Sequence, residues 1–378
     1  AYNVAVGHQA GNLVTTGVQN TLIGGLAGDA LTVGSYNVAL GTTALGGDTK
    51  GSKSTAIGYS ALVNQNFTSA TDAYNTAVGY EAGQAVTTGV NNTLIGGLAG
   101  DAITTGVQNT LLGRSAGSAM TTANNNTVVG YAAGSDITTG VDNVVVGAFA
   151  GDAITTADSI TAIGYAALTS LTTGGSNVAV GESALSAATT GSSNTAVGRR
   201  ALRYNTVGDQ NTAMGFAALG NTNPASAADT DNTAFGYLAG NAVTTGTQNT
   251  FVGSLCGDAT DDGAENTAMG YMALSANCGD SNTAIGRQAG LVVTGNNNTL
   301  LGKSAGVSLT SGSNNLFLGV NAGFTGGPGG NQTTGSDSII LGDQNISNAY
   351  IQVDWTVASD ERDKTDFTAL DLGLDFVN

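Results

Sequence analysis

Side chains able to do chemistry are few in this chain, and they are scattered. The single histidine, His8, follows Gly7 at a position that varies along the chain, and a surface role accounts for it better than acid–base catalysis. Asp258, Asp261, Asp262 and Glu265 lie close enough in sequence to offer oxygen ligands to Ca²⁺. They follow neither the EF-hand spacing nor the Gly-rich nonapeptide of calcium-binding β-rolls, so a solvated loop is the favoured reading. Cys256 and Cys278 are too few for a disulfide framework, and Cys256 is expected to be a buried free thiol. Arg199, Arg200 and Arg203 form the one basic cluster, for which pairing with local acids is favoured over phosphate binding. Tyr59, Tyr80, Tyr131, Tyr165, Tyr237 and Tyr271 each follow a glycine. Exposed there they could stack on sugars, but packing between neighbouring segments or chains explains them better. Glycosylation sequons at Asn66, Asn91, Asn125, Asn297, Asn331 and Asn345 are what chance gives in so Asn- and Thr-rich a chain. None of these groups predicts a cofactor or a resident metal.

The elements that must position these residues show first in the composition. The chain has 378 residues, of which 58 are Gly and two are Pro; its net charge is −17, with only 10% charged residues. Collagen needs about one-third Gly, and disordered polyelectrolytes need far more charge, so both are excluded. Ten scattered cations offer no stripe to neutralise phosphates, which argues against nucleic acid and against anionic membranes. No apolar run approaches the roughly 20 residues of a membrane span, so no membrane insertion is expected. The chain starts at Ala1-Tyr2-Asn3-Val4, inside a repeating motif, which predicts a fragment or processed form.

Self-comparison finds twenty units, the first opening at Asn3 and the last at Ser338. Fourteen of the nineteen spacings are 17 residues; the others are 16, 21 (after Ser54 and Asn211) and 23 (after Asn315). The longer ones read as loop insertions, carrying Asn221-Thr222-Asn223-Pro224 and Gly326-Gly327-Pro328-Gly329-Gly330. Position one is Asn in seventeen units, as at Asn75, Asn92, Asn109, Asn126 and Asn143. Position five is always Gly, as at Gly79, Gly96, Gly113, Gly130 and Gly147, and position eight is nearly always Ala.

Five residues such as Asn75-Thr76-Ala77-Val78-Gly79 are strand-length, and a second short segment, Ala85-Val86-Thr87-Thr88, ends at another Gly. Two strands and two corners per unit are therefore predicted, with glycines supplying positive φ at the corners. A unit this small cannot bury its own apolar face, so units must stack as the coils of an all-β, repetitive β-solenoid (a β-roll). At about 4.8 Å per coil, twenty coils make a rod on the order of 95 Å long. First-position Asn side chains are expected to ladder onto their counterparts above and below. In Thr76-Ala77-Val78, Thr93-Leu94-Ile95 and Val144-Val145-Val146 adjacent residues are apolar, so both strand faces are. One face fills the coil interior; the other predicts a partner chain, in preference to one solenoid thick enough to bury both.

The strand Asn177-Val178-Ala179-Val180-Gly181, and likewise Asn282-Thr283-Ala284-Ile285-Gly286, resembles the head repeat of trimeric autotransporter adhesins. That resemblance implies a β-roll with three chains packed in parallel about an axis. The family's typical unit is shorter than this one. Further on, Ser359-Asp360-Glu361-Arg362-Asp363-Lys364 followed by Leu372-Gly373-Leu374-Asp375-Phe376-Val377-Asn378 resembles the opening of the intramolecular chaperone domain (peptidase S74). Such domains end many bacteriophage tail fibres and tailspikes. The resemblance implies that Ser359 is the nucleophile of a self-cleavage between Ala358 and Ser359, with Lys364 as its activator, a chemically adequate pair. The remainder of such a chaperone is not in this sequence. A polar cap before a helix is the alternative, since Phe367, Leu370, Leu374 and Val377 fall at helical spacing.

The sequence thus predicts a repeat shaft over 1–342, a transition segment over 343–358 and a chaperone-like remnant over 359–378. The expected function is structural rather than enzymatic: the homotrimeric shaft of a phage tail fibre, virion-borne or otherwise extracellular. A host-surface glycan or protein receptor is its potential partner. A bacterial surface adhesin of the autotransporter type and an extracellular fibril subunit are the alternatives.

Overall fold

A computed structural model describes residues 2–350. Ser359 and Lys364, with the helix-spaced Phe367, Leu370, Leu374 and Val377, lie outside the described residues. Residues up to Asp343 form one compact unit; a second begins at Gln344 and has no strand among its described residues.

Strand formation follows the repeat. Positions two to four of every unit form a three-residue strand, from Val4–Val6 to Ile339–Leu341, and these twenty strands make one sheet. Consecutive units pair in parallel and in phase: Thr76 faces Thr93, Ala77 faces Leu94 and Val78 faces Ile95. The phase survives the longer spacings, since Thr55 still faces Thr76 and Leu316 still faces Ile339. Parallel pairing of successive strands requires the chain to circle once between them. The fold is an all-β, parallel β-solenoid, without a helix among the described residues.

Positions three, eight, nine and twelve fill the interior, position twelve being a buried polar residue in some coils, such as Asp48 and Gln65. Position three points inward and is buried in every strand after the first; the eighth-position Ala and an apolar twelfth residue (Val86, Ile103, Met120, Ile137, Ile154) join it. Size is compensated between positions three and nine. Where position three is Leu22, Leu94, Leu111 or Phe251, position nine is Gly28, Gly100, Gly117 or Gly257; where position three is Ala39, Ala56, Ala162 or Ala179, position nine is a buried Leu. A Cβ on Gly257 would stand 2.5 Å from the Phe251 ring, so the pair conserves interior volume. Gly83 follows the small Ala77 and looks like an exception. It lies between Leu62 of the coil before and Leu94 of the coil after, both within 3.0 Å of an added Cβ, so its neighbours fill the space.

The expected second strand does not form. Residues around Val86-Thr87-Thr88 are turns and bends, and among the described residues only two short extra pairings occur, Gly51–Ser52 with Thr71–Asp72 and Gly208–Asp209 with Ala228–Asp229, both at the 21-residue coils. Left-handed residues at positions seven, nine and seventeen break the extended chain into turns, such as Gln84 N–H to Glu81 C=O at 3.2 Å and Val86 N–H to Gly83 C=O at 3.1 Å. Coils remain tied along this arc by single bonds, for example Thr87 N–H to Thr104 C=O at 2.9 Å. Many of these left-handed residues are not glycine: Leu26 (φ 59°), Tyr74 (φ 50°) and Phe149 (φ 57°) are examples. Each costs roughly 1–2 kcal/mol in isolation, so an arc of this kind is held by its neighbours. The fifteenth-position glycines answer a different need. Gly89 has no positive φ, but a Cβ there would lie 2.4 Å from the Gly106 carbonyl oxygen of the next coil.

The Asn row is a ladder of a mixed kind. Each Oδ1 accepts the backbone N–H of the next Asn: Asn92 to Asn75 at 2.9 Å, Asn109 to Asn92 at 3.0 Å, Asn126 to Asn109 at 3.1 Å, Asn143 to Asn126 at 3.0 Å. Most Nδ2 groups donate to a carbonyl 14 residues later, as Asn75 does to Gly89 (2.7 Å) and Asn92 to Gly106 (2.8 Å), whereas the Asn266 Nδ2 is buried without a partner. Amide-to-amide bonds supplement this in some rungs, such as Asn109 Nδ2 to Asn92 Oδ1 at 3.1 Å. One side chain therefore closes its own coil and holds the next. Where Ser54 interrupts the row, a buried polar group bridges the gap. Gln65 Nε2 donates to Ser54 Oγ (3.0 Å) and to Asp48 Oδ2 (2.6 Å), while its Oε1 accepts from Asn75 Nδ2 (2.8 Å). Burial pushes the Asp48 carboxyl above its ordinary range, against the pull of bonds from Gln65 and the Gly51 and Lys50 N–H groups.

Candidate assembly surface

Alternation along each strand sends position three inward and positions two and four outward. Position four is apolar in all twenty strands, from Val6 through Ile95, Leu112, Ile163 and Phe235 to Leu341. Because the strands are in phase, these side chains form one row on the outer face of the sheet. They are half-buried to exposed, with Leu112 at 46% and Phe235 at 51%. Position two adds Thr methyl groups and Val38, Val144, Val178 and Leu316 alongside. At about 4.8 Å per strand the row is roughly 90 Å long. Both strand faces are apolar, as the sequence predicts, and the outer one is left to solvent in a single chain.

The tyrosine row stands beside it at position six. Where two aromatics fall in adjacent coils they pack on each other: Tyr59 and Tyr80 stack with centroids 5.4 Å apart, and Phe216 and Tyr237 at 5.5 Å. Phe149, one position further round, bridges Tyr131 and Tyr165 edge-to-face. These rings remain about half exposed, Tyr80 at 55% and Tyr165 at 59%.

Other sequence candidates do not come together. His8 is exposed. Asp258 accepts from the Ser275 hydroxyl, Asp261 from Thr244, and Glu265 from Ser281 at 2.9 Å, each across to a neighbouring coil. Among the described residues no three His, Cys, Asp or Glu side chains converge as a metal would need. Arg199 pairs with Glu182 at 3.1 Å and lies over the Phe216 ring. The expected pairing with local acids thus holds for Arg199, whereas Arg200 and Arg203 have no acidic partner among the described residues. No helix among the described residues is long and apolar enough to cross a membrane.

Cys256 and Cys278 are both free and buried. Burial pushes the Cys256 thiol up to about 12 and raises that of Cys278, which contacts Thr260 Oγ1 at 3.2 Å. Since the thiolate is the nucleophile, neither is expected to react with an aromatic disulfide reagent at pH 8 until the chain is denatured. Absorbance of the released thiolate measures this; prompt reaction of the native protein would contradict it.

No family model matches the chain, and no curated protein matches it.

Proposed function

We propose that the chain is the shaft of a bacteriophage tail fibre, three copies of which pack their strand outer faces around a common axis. The observation that carries this reading is the unbroken fourth-position row, apolar in every coil and open to solvent in one chain. A solvated sheet face carries polar residues throughout; here the only polar side chains are the position-two threonines, and position four carries none. The Asn-Thr-Ala-Val-Gly strands resemble those of trimeric adhesin heads, which favours three copies. The Ser359-to-Lys364 motif favours a phage fibre over a bacterial adhesin. In this reading the protein is structural and extracellular on the virion, Ser359 and Lys364 act only in self-cleavage between Ala358 and Ser359, and a host-surface glycan or protein is the outside partner.

Light scattering on the purified chain tests the assembly. The expected mass is three times the 37.1 kDa of one chain, and a monomer would sink the proposal. A double variant, Leu112→Glu with Ile163→Glu, places two carboxylates in the row without touching the interior. It is expected to shift the mass to that of one chain while leaving the far-ultraviolet circular dichroism unchanged.

A further inference from the structure

The coils opening at Asn194, Asn211 and Asn232 contain a pocket of about 220 Å³. It arises from missing side chains. The middle coil carries Ala217 and Gly220 at positions seven and ten, where the coil before carries Arg200 and Arg203 and the coil after carries Leu238 and Asn241. Gly220 leaves room for the Asn241 amide: a Cβ would stand 2.6 Å from Asn241 Nδ2, which donates to the Ala217 carbonyl at 2.8 Å. That bond fixes the Asn241 amide and leaves its Oδ1 free to accept. Tyr204 supplies an aromatic wall, Phe216 lines the pocket while its ring is covered by Arg199 and Tyr237 of the coils on either side, and Asn221, at the start of the second insertion, supplies another amide.

The two guanidinium groups set the chemistry. Both are half-buried, neither has a carboxylate partner among the described residues, and Arg203 lies 4.9 Å from the centroid of the Tyr204 ring. On a chain of net charge −17 most of the surface repels anions, so a paired-arginine pocket is a local exception. Guanidinium forks match carboxylates bidentately, aromatic faces take the C–H face of a sugar ring, and amides take its hydroxyls. The volume is below the roughly 300–1,000 Å³ of drug-sized sites, which suits one ring.

We propose that this pocket binds a uronic-acid residue of an acidic polysaccharide, its carboxylate on Arg200 and Arg203 and its ring against Tyr204. The pocket belongs to one chain's coils, so the proposal stands apart from the oligomeric state.

The test is calorimetric titration of the full chain with methyl β-D-glucuronide, methyl β-D-glucoside and inorganic phosphate. Binding of the glucuronide at least tenfold tighter than both others is expected, with a further loss of at least tenfold in Arg200→Gln and in Arg203→Gln. Ala217→Leu should abolish it by filling the floor. Leucine already occupies the seventh position in the same left-handed conformation at Leu26, Leu98, Leu238 and Leu255, so this variant keeps the coil folded, as an unchanged melting curve would verify. Equal binding of the glucoside, phosphate binding as tight as the glucuronide, absence of glucuronide binding, or full affinity in folded Ala217→Leu would each overturn the proposal.

Discussion

Replacing Gly113 with alanine is expected to destabilise the coil stack by about 4 kcal/mol, combining the strain of a Gly-only backbone conformation with overpacking. Gly113 has φ +142°, and its Cβ would stand 2.2 Å from the Gly130 carbonyl oxygen and 2.7 Å from the carbonyl carbon. Both atoms are backbone of the next coil, so no rotamer change relieves the overlap; the two coils must part. In a one-dimensional stack, stability is a sum of coil and neighbour terms, and weakening one junction uncouples the two sides. Urea unfolding should therefore change from one transition to two, with amide exchange fastest around residues 110–130. The control is Gly25→Ala. Gly25 sits one position later in its coil with nothing within 4 Å of its added Cβ and no positive φ, so its effect should stay within about 0.5 kcal/mol. Equal losses in the two variants would mean that backbone crowding is not what fixes the fifth-position glycine.

Asn109→Ala is expected to cost about 3 kcal/mol, since buried polar groups left unpaired cost roughly 1–3 kcal/mol each. The fully buried Asn109 side chain accepts the Asn126 N–H at 3.1 Å and donates to the Ala123 carbonyl at 2.8 Å. Truncation removes the partner of both. Asn109→Asp separates the two roles. It keeps the acceptor for Asn126 but turns a carboxylate oxygen towards the Ala123 carbonyl, and burial raises the pKa of that new carboxyl. A carboxyl whose pKa is raised on folding binds its proton more tightly in the native state, so stability falls as pH rises through the folded value. Chemical denaturation of the aspartate variant between pH 4 and 8 should thus show stability decreasing with pH relative to the parent. A flat difference would mean that the Asn row is spectator to the stack. The row tolerates one apolar rung: Ile160 accepts its place with its own N–H on Asn143 Oδ1 at 2.9 Å and its side chain buried.

Much of this architecture is legible in the residues because stacking makes each role repeat. Asn at position one and Gly at position five stand out, and the apolar pair Ala77-Val78 marks a strand with two apolar faces. The second strand is misread because Val86-Thr87-Thr88 has strand-like composition, while the residues that bend the arc, such as Leu26, Glu81 and Phe149, carry no turn signature. Tertiary context forces them left-handed. The exchange of Leu94 with Gly100 for Ala56 with Leu62 is present in the sequence, but its meaning needs the knowledge that positions three and nine meet inside the coil. The arginine pocket is hidden for a similar reason. Arg203, Phe216 and Asn241 are brought together only once the coil register and the 21-residue insertion are known.

The in-phase pairing also gives the fold a unit of length. Since Thr93 faces Thr110 and Thr110 faces Thr127 in the same way, deleting residues 110–126 would bring residue 93 against residue 127 with the same partners. The stack would shorten by one strand spacing, about 4.8 Å, with the interior, the Asn row and the outer face unchanged in kind. Length can thus be lost or gained in whole coils, as on a ruler, whereas a deletion of any other size must be absorbed in the arc or rupture the register. The coils of 16, 21 and 23 residues show the arc doing that absorbing while the strands keep count.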